Sequence, residues 1–262
     1  KTAWHAGYFR RQIEQKIIEP LGRVYGVDFS EEKLRAAIEQ HNEVCRIITE
    51  IGDMRKLPNP PVTGYEFHVI QLVSLTCPKD LILPYLRETL EEIKSREPEP
   101  KFPFRARVMV AGSEIDDPDF TKLLEGCGAY VVADRYCFGS FPSREQIEIL
   151  PGETAFDAIC RHYLHWNQCA RFMDGEKIDQ RHAEVTKLVH DFKANGVIYE
   201  NMKFCEFWSY EKVLANHIFT EELHIPCCTI EKEYALGAVG QLRTRFQAFI
   251  ESLEIKSIQG GK

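Results

Sequence analysis

The chain has 262 residues, of which 44% are hydrophobic and 28% are charged, and these proportions exclude a disordered, collagenous or coiled-coil protein. The formal net charge of −7 argues against a nucleic-acid partner and against an anionic membrane surface, since both require a basic face. No apolar run approaches the roughly 18 residues that a membrane-spanning helix needs, and no signal peptide is recognisable, so we expect a cytoplasmic protein that binds neither nucleic acid nor membrane.

The first hundred residues are predicted to be helical. Apolar residues recur at helical spacing over 8–24, 30–48, 65–76 and 79–95, which predicts four helices. The charged segment that follows, 96–103, contains three prolines and is typical of a linker. We therefore place a boundary near residue 101, between a helical segment (1–101) and a second domain (102–262).

Beyond that boundary the sequence changes to short apolar runs separated by helical patterns. The apolar runs predict four strands: 107–111, 129–133, 196–199 and 225–230. The helical patterns lie at 119–127, 154–170, 181–194, 208–222 and 239–254. Buried strands that alternate with helices form parallel sheets covered on both faces. The predicted fold class is therefore α/β, a helical segment followed by a doubly wound parallel sheet, in which ligands bind outside the carboxyl ends of the strands.

Cysteine is frequent in this chain and irregularly spaced. The nine residues are Cys45, Cys77, Cys127, Cys137, Cys160, Cys169, Cys205, Cys227 and Cys228. An odd number in a chain that can build its own core differs from the small disulfide-stapled domains of secreted proteins, so we expect reduced thiols. The C-x2-C pairs of zinc ribbons and bacterial ferredoxins are absent. Any metal site must therefore combine cysteines that are distant in sequence.

Two of the four predicted strands are followed by a loop that carries a cysteine. Cys137 follows the second strand and Cys205 follows the third. Arg135 and Lys203 precede them and are expected to favour the thiolate forms that bind metals. Two thiolates that converge on one crevice would form half of an iron–sulfur or zinc site, whereas cysteine is otherwise a common packing residue. The spacing alone leaves both interpretations open.

Three segments carry a resemblance to a known family: DRYCFGS (134–140), GVIYENMKFC (196–205) and EKEYALGAVGQLRTRFQAFIE (231–251). They resemble the benzoyl-CoA reductase and 2-hydroxyacyl-CoA dehydratase family, and the resemblance extends over essentially the whole chain. The ending ESLEIKSIQG (251–260) is most similar to the gamma subunit of ATP-dependent, class I benzoyl-CoA reductases.

The resemblance implies a cofactor and partners. Family members pair two homologous core subunits, each holding an iron–sulfur cluster between flavodoxin-like domains, and ATPase activator subunits feed them electrons. It implies a [4Fe-4S] cluster, or a double cubane, bound through Cys137 and Cys205 in a flavodoxin-like domain, with ferredoxin as the electron donor to the complex. The family pattern also includes a cysteine in an amino-terminal α/β domain. Since the first residue is Lys1 and not Met, we expect that this upstream domain is missing from the chain.

The function implied by the resemblance is that of an iron–sulfur core subunit of an ATP-dependent benzoyl-CoA reductase. Such an enzyme dearomatises the ring of an aromatic acyl-CoA by single-electron and proton transfers, which give a cyclic dienoyl-CoA. Protein iron–sulfur clusters reach reduction potentials of about −700 mV, and ATP hydrolysis supplies the remaining driving force. Three alternatives stay open: a 2-hydroxyacyl-CoA dehydratase subunit, which uses the electron catalytically to expel water; a double-cubane reductase of small molecules; and a non-catalytic subunit for electron relay and assembly.

Two further groups of residues are candidates for binding. His162, His165 and Cys169 recur at spacings of three and four in a predicted helix. They could bind zinc or donate a proton, although a surface or interface histidine pair is more common. Arg243 and Arg245 follow a glycine-rich helix start that could bind CoA phosphates, and salt bridges between subunits explain these arginines equally well.

The other cysteines are predicted to pack in the core. Cys227 and Cys228 are adjacent on a strand, so their side chains point to opposite faces and cannot bind one ion together. Cys45, Cys127 and Cys160 lie in helical patterns and are expected to pack between helices.

Overall fold

A sheet of four parallel strands lies at the centre of the computed structural model, which describes residues 3–96, 104–165, 169–171 and 175–260. The strands are β1 (Ala106–Gly112), β2 (Ala129–Arg135), β3 (Gly196–Met202) and β4 (Cys227–Lys232). Their order in the sheet is β2-β1-β3-β4. All four were predicted, but β2 and β3 continue further than their apolar runs, because the polar residues at their carboxyl ends are buried as well.

Helices form the amino-terminal segment and the connections between strands. They are α1 (Ala3–Ile13), α2 (Glu19–Tyr25), α3 (Glu31–Asp53), α4 (Gly64–Thr76), α5 (Lys79–Ser95), α6 (Pro118–Glu125), α7 (Ser140–Ser143), α8 (Ala155–His165), α9 (Gly175–Asp191), α10 (Glu206–His217) and α11 (Val239–Gly260). Two predicted helix boundaries were wrong, since α8 ends before 170 and α9 begins before 181. The first turns of α9 are polar, so apolar periodicity does not reveal them. Within the described residues, no helix is both long and apolar enough to cross a membrane.

Alternating side chains of the strands divide the core of the sheet into two layers. On one face, Val108 and Val110 of β1 pack with α6 and α11. On the other face, Met109 and Ala111 pack with α9 and α10. Helices thus cover both faces, which confirms the predicted doubly wound α/β fold. The winding direction reverses between β1 and β3, and folds of this kind bind ligands at that reversal.

The amino-terminal helices have a core of their own. Helices α3, α4 and α5 surround buried side chains that include Ile48, Phe67 and Leu86. Helix α4 also packs against α6 and β2, so that it joins this core to the sheet. The boundary predicted near residue 101 falls in 97–103, outside the described residues, and it stays a prediction.

A buried ion pair joins the amino-terminal helices to the sheet. Arg55 Nη2 donates to Asp134 Oδ1 at 2.7 Å, and both side chains are 1% exposed. The guanidinium carbon also lies 3.8 Å from the centre of the Phe67 ring. Burial by itself would raise the pKa of Asp134, but the Arg55 guanidinium holds that pKa below its usual value. Asp134 is therefore an ionised group in the protein interior that depends on Arg55.

Glu125 is a second buried carboxyl group at this junction. It accepts hydrogen bonds from the backbone N–H groups of Gly64 at 2.8 Å and Tyr65 at 3.1 Å, in the first turn of α4. It also accepts one from the N–H of Val131 in β2 at 3.3 Å. Burial raises the pKa of Glu125 to about 7, although these N–H groups act in the opposite direction. Glu125 thus ties the start of α4 to the sheet.

Replacing Arg55 by methionine tests the ion pair. Arg55→Met should lower the free energy of unfolding by about 3–5 kcal/mol, because it leaves the charge of Asp134 buried without its partner. Urea unfolding followed by circular dichroism measures the loss. Arg35→Met is the control, since Arg35 pairs with Glu31 on the surface and its loss should stay below about 1 kcal/mol. Equal losses in the two variants would contradict the role given to Arg55.

Replacing Glu125 by glutamine should change how stability depends on pH. The folded chain holds the Glu125 proton up to a pKa of about 7, whereas the ordinary value is 4.5. The stability contributed by this proton is therefore fully present below about pH 4.5 and is lost as the pH rises through 7. In Glu125→Gln, the free energy of unfolding should decline less between pH 4.5 and 7 than in the wild type. Identical declines in urea titrations would mean that Glu125 titrates normally.

Candidate functional site

The loop that follows β2 presents Cys137, and Asp134 shapes that loop. Asp134 Oδ2 accepts a hydrogen bond from the backbone N–H of Ser140 at 2.6 Å. A Cβ atom at Gly139 would lie 2.6 Å from the same oxygen, so the tight turn requires glycine there. The N–H of Cys137 donates to the carbonyl oxygen of Ser113 at 2.8 Å. One buried carboxylate therefore holds a turn that places a cysteine beside the end of β1.

The loop that follows β3 presents Cys205 at the start of α10. Cys205 is the N-cap residue of this helix, and its carbonyl oxygen accepts hydrogen bonds from the N–H and the hydroxyl group of Ser209, both at 3.0 Å. The N–H of Cys205 donates to the carbonyl oxygen of Met202 at 3.1 Å. The preceding residue, Phe204, has a φ of 69° and a side chain that is 97% exposed. Cys205 thus lies at the positive end of the α10 dipole, a position that suits an anionic group.

The structure brings Cys137 and Cys205 together on one side of the sheet. Both pack against the same buried layer, which contains Tyr199 and Trp208. The pKa of the Cys137 thiol is raised to about 12, and burial is the largest cause. The nearby groups whose charges add to this rise are Cys169, Glu114, Cys205 and Glu200. Cys137 is therefore a protonated thiol at neutral pH, surrounded by groups that disfavour its thiolate.

Cys169 is a third thiol in this region, although its spacing from His165 predicts a place on the same helix. The predicted helical face with His162 and His165 was wrong, because α8 ends at His165. Cys169 instead precedes Ala170, which lies in the buried layer that Cys137 and Cys205 pack against, and its charge is one that raises the pKa of Cys137. The guanidinium of Arg171 lies over the ring of Phe207 in α10, at 5.3 Å from its centre. The segment 169–171 therefore reaches across to the loop of Cys205. No spacing in the sequence signals this contact, since it forms only in the folded chain.

Arg135 and Lys203, the two cations expected to favour the thiolates, contact other groups. The Arg135 guanidinium lies 4.8 Å from the centre of the Phe141 ring, and Glu184 is the charged group that acts most strongly on it. Lys203 Nζ pairs with Glu233 Oε1 at 3.0 Å. The prediction that these two residues support the thiolates was wrong for Cys137, whose main charged neighbours are thiols and carboxyl groups. Closeness in sequence to a cysteine therefore does not decide which group a cation contacts.

A polar group lies between the two cysteine loops, at the end of β1. Ser113 donates to Glu200 Oε2 through its hydroxyl group at 2.8 Å and through its N–H at 3.1 Å. The Ser113 Oγ atom accepts a hydrogen bond from the N–H of Met202 at 2.7 Å. Burial raises the pKa of Glu200 to about 7, and Lys232 Nζ lies 3.9 Å from Glu200 Oε1. Neither Ser113 nor Glu200 was singled out from the sequence, although both follow the strand-end rule that identified the cysteines.

His162 and Arg245, two other candidate residues from the sequence, contact groups outside the cysteine loops. Burial, with His41 nearby, lowers the pKa of His162 to about 4, so that this histidine is uncharged at neutral pH. The ring centres of His162 and His41 are 6.4 Å apart. Arg245 donates to the carbonyl oxygen of Thr229 at 2.6 Å, so its guanidinium contacts β4 at the edge of the sheet.

Most of the remaining cysteines are packing residues, as predicted. Cys45, Cys127 and Cys160 are buried, and no disulfide joins any of the nine cysteines. Cys228 packs on one face of the sheet and Cys227 on the other, which confirms the prediction from strand geometry. In the part of the chain that the structure describes, no three histidine, cysteine or acidic side chains are grouped tightly enough to hold a single metal ion.

The sequence matches the family model described as 2-hydroxyglutaryl-CoA dehydratase, D-component, over residues 1–253. It is 27% identical over 238 residues to the (R)-phenyllactyl-CoA dehydratase beta subunit of Clostridium sporogenes, an alignment that covers 90% of this chain and 61% of that protein. It is also 26% identical over 263 residues to the "Putative dehydratase subunit YjiM" of Escherichia coli (strain K12), with 97% and 64% of the two chains covered. The chain thus spans less than two thirds of the length of these curated relatives.

Replacing Gly112 by alanine should disturb the end of β1 next to this site. Gly112 has a φ of +143°, and a Cβ atom there would lie 2.0 Å from the carbonyl oxygen of Glu200 in β3. Since the two strands would have to separate, we expect Gly112→Ala to lower the free energy of unfolding by about 2 kcal/mol or more. Gly175→Ala is the control, because its Cβ atom meets open space at the start of α9. If chemical unfolding gave the same free energy of unfolding for Gly112→Ala and Gly175→Ala, the close approach of β1 and β3 would be contradicted.

Proposed function

Because the chain belongs to the 2-hydroxyglutaryl-CoA dehydratase D-component family, we propose that it forms part of the iron–sulfur core subunit of an enzyme that removes water from 2-hydroxyacyl-CoA substrates. The observation that carries this proposal is the convergence of cysteines at the carboxyl ends of β2 and β3. The names of the two relatives, which are both dehydratase subunits, favour dehydration over ring reduction. The dehydratase, one of the alternatives to the reductase, is therefore the main proposal.

The residues present fit a cluster bound through thiolates. Cys137 and Cys205 are the proposed ligands from the sequence, and the position of Cys169 makes it the proposed third ligand. Each iron atom of a cluster takes its own thiolate, so these ligands need not surround one point as they would around a single ion. The acidic neighbours of Cys137 disfavour a bare thiolate, whereas bound metal cations would stabilise it.

The chemistry proposed for this site is single-electron transfer. A bound iron–sulfur cluster would supply an electron at low potential, which the dehydration uses catalytically to release the hydroxyl group. The chain's own residues would hold the cluster and exclude water, whose protons such a donor would otherwise reduce. The layer beneath the thiols suits that purpose, since Tyr199 and Trp208 are both buried. The proposed partners are a homologous core subunit, ATPase activator subunits and ferredoxin as electron donor to the complex.

Benzoyl-CoA reductase is the second candidate, on the evidence of one segment. The resemblance of the ending at 251–260 to the gamma subunit of that enzyme is what favours it, whereas the other segments resemble both branches of the family. Its substrate would be an aromatic acyl-CoA, and the electrons would be consumed and not recycled. The two candidates therefore predict different ratios of electrons to product.

An anaerobic assay of the complex between this subunit and its partner and activator subunits separates the candidates. The complex receives ATP, a strong reductant and either phenyllactyl-CoA or benzoyl-CoA. We expect many molecules of unsaturated acyl-CoA for each electron consumed with the first substrate, and no reaction with the second. Formation of a cyclic dienoyl-CoA from benzoyl-CoA at two electrons per molecule would overturn the dehydratase proposal in favour of the reductase.

Alanine substitutions test the proposed ligands. After anaerobic reconstitution with iron and sulfide, Cys137→Ala and Cys205→Ala should each retain less than about half of the wild-type iron and cluster absorbance, because each removes a thiolate from an iron atom. Cys169→Ala should also lose iron if it is the third ligand. Iron and sulfide analysis, together with the visible absorbance of the cluster, measures the loss.

Cys227→Ala is the matched control for these variants. Cys227 packs against the same layer of the core but lies on β4, away from the strand ends that carry the proposed ligands. It should retain the wild-type iron content. Full iron content in both Cys137→Ala and Cys205→Ala would remove the two residues as ligands, while a wild-type chain that binds no iron would contradict the cluster proposal itself.

A further inference from the structure

Cys137 and Cys205 lie in loops that are far apart in sequence, and a continuous set of hydrogen bonds connects them. The N–H of Cys137 donates to the carbonyl oxygen of Ser113 at 2.8 Å. The Oγ atom of Ser113 accepts a hydrogen bond from the N–H of Met202 at 2.7 Å. The carbonyl oxygen of Met202 in turn accepts a hydrogen bond from the N–H of Cys205 at 3.1 Å. Ser113 is therefore the residue through which both loops are connected.

The position of Ser113 depends on two features of the neighbouring strand. Gly112, with no Cβ atom, lets β1 approach the backbone of Glu200 closely. The side chain of Glu200 then accepts two hydrogen bonds on Oε2, both from Ser113, at 2.8 Å and 3.1 Å. Among the described residues, its other oxygen, Oε1, has no hydrogen-bond partner. The hydrogen bonds of this fully buried carboxyl group are thus all directed at Ser113.

The order of the strands explains why a residue of β1 has this role. Strands β2 and β3, which lead into the two cysteine loops, lie on either side of β1. Both loops therefore meet beyond the end of β1, where Ser113 is 1% exposed. A hydroxyl group at this position can donate to one partner and accept from another at the same time, which an apolar side chain of similar size cannot do.

We propose that Ser113, anchored by Glu200, is a positioning residue that sets the placement of the Cys137 loop relative to the Cys205 loop. The proposed use of this placement, to fix the spacing of cluster ligands, rests on the proposed function. The connection between the loops does not, because it is made by the polypeptide alone. Precise support of ligand-bearing loops by neighbouring hydrogen bonds is a general requirement of metal sites.

Hydrogen exchange of the metal-free chain tests the connection. In Ser113→Ala the N–H of Met202 loses its acceptor, and its exchange rate should rise at least about fivefold. If Ser113 connects the loops, the amides of 135–139 should also exchange faster, by about twofold or more, although the mutated side chain makes no hydrogen bond to them. Ser113→Thr, which keeps the hydroxyl group, should restore both regions toward wild-type rates.

Two further variants keep the result interpretable. Glu200→Leu removes the anchor while leaving the Ser113 hydroxyl group, so it should raise the exchange rates in both loops. If Ser113→Ala does not fold, Glu200→Leu alone tests whether Ser113 connects the loops. Ser74→Ala is the matched control, because Ser74 is a buried serine whose hydroxyl group donates to the carbonyl of Gln71 in α4. It should leave both loops unchanged. Faster exchange at Met202 alone, with 135–139 unaffected in both Ser113→Ala and Glu200→Leu, would overturn the proposal.

A second measurement concerns the reconstituted protein. If the thiols hold a cluster, Ser113→Ala should lose iron to a chelator at least about threefold faster than Ser74→Ala and should show a broadened electron paramagnetic resonance signal, since its ligands are less well fixed. Iron loss and signal shape equal to those of Ser74→Ala would show that the connection does not serve the cluster. If even the wild type binds no iron, the proposed function fails, while the exchange data still decide whether Ser113 connects the loops.

Discussion

The buried carboxylate of Asp134 is the group on which the arrangement of this site depends. It contacts three separate parts of the chain: Arg55 after α3, Gln71 in α4 and the N–H of Ser140 beyond the Cys137 loop. A carboxylate in the interior is stable only while such partners are present. The turn that presents Cys137 therefore requires the amino-terminal helices, even though they contribute no proposed ligand. Those helices are part of the support of the site and not a separate appendage.

Much of the fold follows from local pattern. Each strand of a doubly covered parallel sheet is a short apolar run, and all four runs in the sequence became strands. The position of Cys137 and Cys205 at the carboxyl edge was predictable for the same reason, since a parallel sheet brings all its strand ends to one edge. Even the opposite directions of Cys227 and Cys228 follow from strand geometry alone. In these cases the position of a residue depends only on whether it is buried in the apolar interior, and not on one particular partner.

The features that the sequence could not reveal are contacts between particular side chains. Arg135 precedes Cys137 closely in sequence, yet its guanidinium contacts Phe141 on another side of the loop. Cys169 joins the other thiols through a segment that shows no periodic pattern, and Ser113 is identified only by its hydrogen bonds. Each of these depends on which of many side chains the folded chain brings into contact. These contacts form only in the packed structure, so the spacing of residues in the sequence does not indicate them.

The order of the strands has a consequence for when the two cysteine loops can meet during folding. Neighbouring strands lie about 4.8 Å apart, and β1 separates the two strands that lead into the cysteine loops. The loops can meet only after β1 has paired with both β2 and β3, pairings between segments that are distant along the chain and form slowly. A zinc finger, by contrast, folds around its ion from ligands that are close in sequence. In this chain the two loops cannot meet before β1 has paired on both sides, so a group that needs both cysteines would require the paired sheet.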